Sequence, residues 1–337
     1  MEKINWGIIG CGDVTEVKSG PAFNKVNNSA LVAVMRRDTA KVKDYATRHH
    51  VPKWYDDAAA LINDPDVNAI YIATPPSSHY EYTLAAIHAG KPVYVEKPMT
   101  TDATKAMAMT NAAKEKNIKL TVAHYRRQIP YFKKIKQLLE EKIIGEPLFA
   151  RLEFYSKPLT AKELNIPKIA WRVNPETAGG GLFHDLAPHQ LDLMYYFFGP
   201  AVEMKGIALN QSKLYDADDF VGGNILFESG VTFSGVWSFS VPSLEEKDQC
   251  EIIGTKGKIS FAIFNMKTIT VSVSGTTEVF LFDALEHVQQ PMIEQTVSYF
   301  LNKTSNPCSG EEGAVIMKWM EAFVLPPGNT KNRSAKI

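Results

Sequence analysis

The chain has 337 residues, room for two domains on ordinary domain sizes. Its 37 Lys and Arg balance 37 Asp and Glu, and 45% hydrophobic against 22% charged residues is a globular composition. That balance lacks the basic excess of a nucleic-acid binder, and no apolar run approaches the roughly 18 residues of a membrane span. The first apolar stretch runs straight into Gly10 and Gly12, without a signal-peptide layout. Cys11, Cys250 and Cys308 are too scattered for a disulfide framework or a metal cluster. A reduced, cytoplasmic protein acting without membrane or nucleic acid is expected.

Short runs rich in Val, Ile and Tyr, at 3–9, 30–36, 67–74, 92–96 and 118–124, read as buried strands. Periodic segments at 39–49, 56–62, 79–89 and 102–116 read as the helices between them. Strict alternation predicts βαβ units and a parallel sheet covered on both faces. Beyond His124 the texture changes. A helix over 130–142 ends at Gly145 and Pro147, and another follows Gly179-Gly180-Gly181. Alternating strands follow at 222–227, 231–239, 250–253, 258–264, 268–273 and 278–282, with Gly230, Gly254, Gly257 and Gly275 at their turns. Helices near 292–301 and 311–323 close the pattern. The expected layout is an α/β domain over 1–124, an α+β domain over 125–324 with a mostly antiparallel sheet, and a disordered polar tail, 325–337.

Three groups of residues carry chemistry. The first strand ends in Gly10-Cys11-Gly12-Asp13-Val14-Thr15, a turn that lets backbone amides approach a pyrophosphate at a helix N-terminus. Gly10, Gly12, Asp13 and Val14 are therefore candidate cofactor contacts, although Thr15 stands where a smaller residue is usual. At the end of the second strand an acid would hold the ribose hydroxyls of NAD. Here Arg36 and Arg37 stand instead, suited to the 2′-phosphate of NADP(H), which is favoured over NAD(H). The alternative is two solvated arginines with Asp38 taking the ribose. Second, Glu96-Lys97-Pro98 puts a charged pair at a strand end, where open α/β sheets bind ligands. Third, a helix starting near Asp185 would tolerate Pro188 in its first turn. It would align Asp185, His189 and Asp192 on one face, an acid–histidine pair suited to proton transfer. Asp185 as a mere helix cap with His189 packed, or His184, Asp185 and His189 as metal ligands, are the competing readings; no further Cys or His supports the metal.

Together these motifs resemble the glucose–fructose oxidoreductase / inositol dehydrogenase (Gfo/Idh/MocA) family. The resemblance rests on Gly10-Cys11-Gly12, Ala73-Thr74-Pro75-Pro76-Ser77-Ser78-His79, Glu96-Lys97-Pro98, Trp171-Arg172, and Gly179-Gly180-Gly181 leading to Asp185-x-x-x-His189. It implies an N-terminal Rossmann domain, a substrate and oligomerisation domain, and hydride transfer between a nicotinamide and a hydroxyl- or carbonyl-bearing carbon of a sugar or polyol. By the same resemblance Lys97, Asp185 and His189 are catalytic, brought together in a cleft between the domains. Thr74, Pro75, Pro76, His79 and Glu96 line the cofactor, and Tyr125, Arg126, Trp171 and Arg172 lie near nicotinamide or substrate. A cis Lys97–Pro98 bond is also implied. Pro76, where Asn is frequent, and Thr15 depart from the pattern. Alternative functions are a dinucleotide-sensing regulator of the same fold, or an enzyme whose tightly held cofactor runs an internal redox cycle. Apolar residues in 231–239 and 259–264 predict an apolar open sheet face and hence a homodimer or homotetramer.

Overall fold

The computed structural model describes residues 2–324, so the tail 325–337 lies outside the described residues. The described chain divides into two units: residues up to Ile129 with Leu285–Met317, and Pro130–Ala284 with Lys318–Val324. In this division the first unit includes the segment 125–129 and takes back 285–317.

The first unit holds β1 (Ile4–Ile9), α1 (Asp13–Val17), β2 (Ser29–Met35), α2 (Thr39–Arg48), β3 (Lys53–Tyr55), α3 (Ala58–Ile62), β4 (Ala69–Ile72), α4 (His79–His88), β5 (Val93–Val95), α5 (Ala103–Glu115) and β6 (Leu120–Val122). All six strands run parallel in the order β3-β2-β1-β4-β5-β6, the doubly wound arrangement that the alternation predicted. Short β3 was not expected: three residues between Pro52 and two aspartates give too little pattern to read. Asp38, Asp57 and Asp102 start α2, α3 and α5 by accepting the amides of Lys41, Ala60 and Lys105 at 2.8–3.1 Å.

The second unit begins with α6 (Pro130–Glu140) and β7 (Pro147–Tyr155). Three single-turn helices follow, α7 (Ala161–Leu164), α8 (Pro167–Ala170) and α9 (Pro175–Ala178), then α10 (Leu182–Phe198). The remaining strands are β8 (Ala201–Leu209), β9 (Phe220–Phe227), β10 (Thr232–Ser238), β11 (Lys247–Gly254), β12 (Gly257–Phe261), β13 (Thr268–Val273) and β14 (Thr276–Leu281). They form one sheet, β14-β13-β12-β11-β7-β10-β9-β8, antiparallel except where β7 meets β10. Central β7 went unpredicted. Pro147 reads as a helix stop, while Leu148 and Phe149 break the alternation that buries Ala150 and Leu152.

Phe233, Trp237, Phe239, Ile259, Phe261 and Ile263 are all buried, so the apolar residues of 231–239 and 259–264 do not line the open face of this sheet. That face mixes charges with the exposed Phe149, Ile207, Leu209 and Leu226. Glu251, only 3% exposed, accepts from Arg151, from Lys258 Nζ at 2.7 Å and from Ser260 Oγ at 3.0 Å. Beside it Lys247 pairs with Glu153 at 2.6 Å. Strand alternation in the sequence carries no side-chain register, and register decides which face points inward.

The chain then returns to the first unit as α11 (Gln290–Phe300) and the start of α12 (Gly310–Val324). The α11 residues Met292, Ile293, Val297 and Phe300 are buried, with Phe300 5.5 Å from the Trp6 ring. Lys119 Nζ donates to the Tyr299 and Phe300 carbonyls at 2.5 and 3.1 Å, closing the helix C-terminus. Among the described residues no helix is long and apolar enough to cross a membrane.

Candidate active site

In the first unit every candidate lies where a strand ends. Strand order reverses between β1 and β4, and open α/β sheets bind ligands at that reversal. Gly10 turns there with φ +94°, and a Cβ on it would sit 2.6 Å from Thr74 Cγ2. Glycine therefore lets the β1 turn close against the end of β4. Thr15 is buried and folds its hydroxyl back onto the Gly12 carbonyl at 2.8 Å, which accommodates the larger residue in the fingerprint.

Gly12 is the N-cap of α1, with no side chain capping the helix, and a Cβ on it would meet nothing nearer than 3.9 Å. Arg36, half-buried, donates from Nη1 to the Cys11 carbonyl at 3.2 Å. An uncapped helix N-terminus, open space over Gly12 and a cation across the turn fit the phosphates of a dinucleotide. Acid at this helix is neutralised locally. Arg48 donates twice to Glu16, His49 lies 2.8 Å away, and these contacts hold its carboxyl down at about 2. Cys11 is buried, which pushes its thiol up to about 12 and leaves it inert. Arg37 is exposed. Asp38 is engaged as the α2 cap and pairs with Lys41 at 2.9 Å, contacts that lower its carboxyl.

Glu96 and His79 are more enclosed than cofactor-lining groups would be. The Glu96 carboxylate accepts from Tyr71 Oη at 2.5 Å and from Gln289 Nε2 at 2.6 Å, while the Lys97 amide donates to its other oxygen at 3.1 Å. His79 lies with Nε2 2.7 Å from the Thr74 carbonyl and Nδ1 3.0 Å from the Pro98 carbonyl. Burial lowers this imidazole to about 4 although both carbonyls favour the charged ring, and a neutral ring donates to only one of the two. It ties the Thr74-Pro75-Pro76 turn to the Lys97–Pro98 bond, which is cis. Pro76 is buried, Thr74 and Pro75 half-buried, and Lys97 half-buried at the end of β5. Tyr125 and Arg126 are buried, the guanidinium 5.5 Å over the Tyr125 ring.

In the second unit α10 starts at Leu182, three residues before Asp185, with Gly181 as N-cap. Pro188 is therefore inside the helix rather than in its first turn, and Asp185 is not the cap. The alignment of Asp185, His189 and Asp192 on one face holds. His189 and Asp192 are 5% and 1% exposed, and Asp185 is half-buried. Asp185 Oδ2 accepts from Arg172 Nε at 3.0 Å, and that guanidinium lies 4.7 Å over the Trp171 ring and donates to the Lys168 carbonyl. The His184 ring lies against Gly180, where any Cβ would overlap it. His189 meets Phe264 edge-on, with ring centres 5.8 Å apart. In the first unit sequence reading missed the groups that hold Glu96, Tyr71 and Gln289, with Tyr94 behind them. Gln289 is 193 residues from Glu96, and no local pattern marks it.

A doubly wound sheet with a dinucleotide donor set at its switch point, followed by a mixed sheet carrying an acid–histidine helix, defines the class: a dinucleotide-binding enzyme of two units. A family model described as an oxidoreductase family with an NAD-binding Rossmann fold matches residues 4–124, and one described as the GFO/IDH/MocA C-terminal domain matches 132–260. The chain belongs to the Gfo/Idh/MocA family of oxidoreductases. Oxidoreductase P35 of Formosa agariphila is 49% identical over 321 residues, covering 95% of this chain and 98% of that protein. Myo-inositol 2-dehydrogenase of Thermotoga maritima is 27% identical, covering 98% of each chain. Among solved structures, a levoglucosan dehydrogenase in complex with NADH and levoglucosan superposes with a TM-score of 0.84 at 22% identity, covering 95% of this chain and 96% of that one, a likeness of fold.

Proposed function

We propose that this protein is a cytoplasmic, NADP(H)-dependent oxidoreductase that interconverts a hydroxyl and a carbonyl carbon on a sugar-like or polyol substrate. The observation that carries the cofactor choice is Arg36, whose guanidinium reaches the Cys11 carbonyl in the phosphate-binding turn. A forked cation there favours a 2′-phosphate, while Asp38 is engaged elsewhere. The substrate class draws its support from relatives named for inositol and levoglucosan. The three cysteines, none in a disulfide, fit a reducing compartment.

A nicotinamide cofactor held at the Gly10–Gly12 turn would supply or accept the hydride. In the reducing direction Lys97 polarises the carbonyl oxygen and meets the charge that develops on it. His189 delivers the proton that completes the alcohol, and Asp185, steadied by Arg172, orients or shares that proton. Oxidation reverses these roles. The test is a panel of sugars and polyols with NADP⁺ and with NAD⁺, followed at the nicotinamide absorbance band. Turnover with at least one polyol or sugar supports the reading; a wild-type protein that binds neither cofactor contradicts it. Phe149, Ile207, Leu209 and Leu226 leave apolar area exposed around the ion pairs of the open sheet face, which supports pairing of copies as a homodimer or homotetramer. A 37.5 kDa species in light scattering at micromolar concentration would count against that assembly.

A further inference from the structure

We infer that Gln289 is a positioning residue for the reaction, fixing the Glu96 carboxylate and through it the Lys97 loop. This rests on the reading above, in which Lys97 acts on the substrate. Gln289 is fully buried and is the N-cap of α11, yet its side chain does not cap the helix. It reaches across to β5 instead. Its Nε2 donates to Glu96 Oε1 at 2.6 Å, and its Oε1 accepts from Tyr94 Oη at 3.3 Å. Both ends of the amide are thus spent, which fixes its orientation as well as its place.

Glu96 is held from three sides. Tyr71 Oη and Gln289 Nε2 both donate to Oε1, leaving Oε2 to accept the Lys97 amide. A carboxylate gripped at one oxygen presents the other in a fixed direction. Losing the Gln289 donor lets the group turn about its Tyr71 contact and slackens the bond to Lys97. A buried carboxylate deprived of a donor also keeps its desolvation cost, so the loop has reason to rearrange.

The segment bearing Gln289 is itself anchored at the cofactor helix. His287 Nδ1 lies 2.6 Å from the Val17 carbonyl, the last residue of α1, and the Gln289 amide donates to the Lys18 carbonyl at 3.1 Å. Two residues distant in sequence, His287 and Gln289, therefore join the end of α1 to the root of Lys97. That geometry gives 285–289 a task that packing alone does not demand, since an apolar side chain would fill the same space without fixing Glu96.

The test compares wild type with Gln289→Met, which keeps the volume and loses the donor, and with Gln289→Glu, which sets a second carboxylate against Glu96. Hydrogen exchange is read at the Lys97 amide with no substrate present, together with the melting temperature. The rate is read on the best substrate from the sugar and polyol panel. Expected for Gln289→Met is exchange at Lys97 at least roughly tenfold faster, with β1 and β4 amides unchanged and only a modest drop in melting temperature. Its kcat should fall at least roughly tenfold with little change in cofactor affinity, and Gln289→Glu should lose more. Unchanged exchange at Lys97, or faster exchange spread evenly over the sheet with a matching drop in melting temperature, would overturn the inference. If wild type turns over no member of the panel, the functional reading fails, and the exchange at Lys97 still decides whether Gln289 positions that loop.

Discussion

The two sheets place chemistry in different ways. In the parallel sheet of the first unit the candidate residues sit where strands end: Gly10 and Gly12 after β1, Arg36 after β2, Thr74 after β4, Glu96 and Lys97 after β5. Parallel strands all deliver their ends to the same edge, so topology alone gathers them. In the mostly antiparallel sheet of the second unit successive strand ends alternate in direction, and none of the candidates lies on a strand. They lie on α10 and on the turn at Trp171 and Arg172. Both units bury carboxylates: Glu96 against tyrosine and glutamine and Asp64 against Lys53 in the first, Glu251 under two cations in the second.

That contrast can be broken at several points. The largest effect is expected at Lys97: Lys97→Ala should lower kcat by at least roughly 10²-fold with cofactor affinity little changed, as steady-state rates and a cofactor titration would show. Next comes acid sensitivity of the first unit. His79 is lowered by burial to about 4, so on acidification the unfolded chain takes up a proton near 6.5 before the folded protein does. Stability should therefore fall by about 3 kcal/mol between pH 6.5 and 4. Urea unfolding across that range should lose most of this slope in His79→Gln.

In the second unit the window lies lower. Burial raises the Glu251 carboxyl, but its bonds from Lys258, Arg151 and Ser260 outweigh this and bring it down to about 2. Its stabilisation is complete above about 4.5 and is lost as pH falls toward 2. With Arg151 and Lys258 about half exposed, water screens the pair, and about 2 kcal/mol is expected. Glu251→Gln should cost about that much at neutral pH in denaturant unfolding and leave kcat unaffected. The smallest effect concerns the nucleotide: wild type should bind NADP(H) about tenfold more tightly than NAD(H), and Arg36→Asp should remove or reverse that preference.

Legibility in the sequence follows the same contrast. β1, β2, β4, β5 and β6 are buried on both faces and read as near-continuous apolar runs, so these strands, though not β3, were legible in order. β7 could not, because its alternation is broken and a proline opens it. The return of 285–317 to the first unit also left no mark, since an amphipathic helix does not say which core it covers. At the candidate site the reacting types, Lys97, Asp185 and His189, stood out by motif. Arg36 was legible by position. Tyr71 and Gln289, which hold Glu96, are ordinary residues given meaning only by contact, and Trp171-Arg172 stood out by motif without its bond to Asp185.

The role assigned to His189 is the claim on which the second unit's part in the chemistry stands. His189→Ala should be measured for kcat on the best panel substrate, for cofactor affinity and for melting temperature in one preparation. The expected result is a kcat at least roughly 10²-fold below wild type, with affinity and melting temperature close to it. Asp185→Asn should be milder than this. Near wild-type turnover by His189→Ala, or loss of the fold, would contradict proton transfer through this histidine.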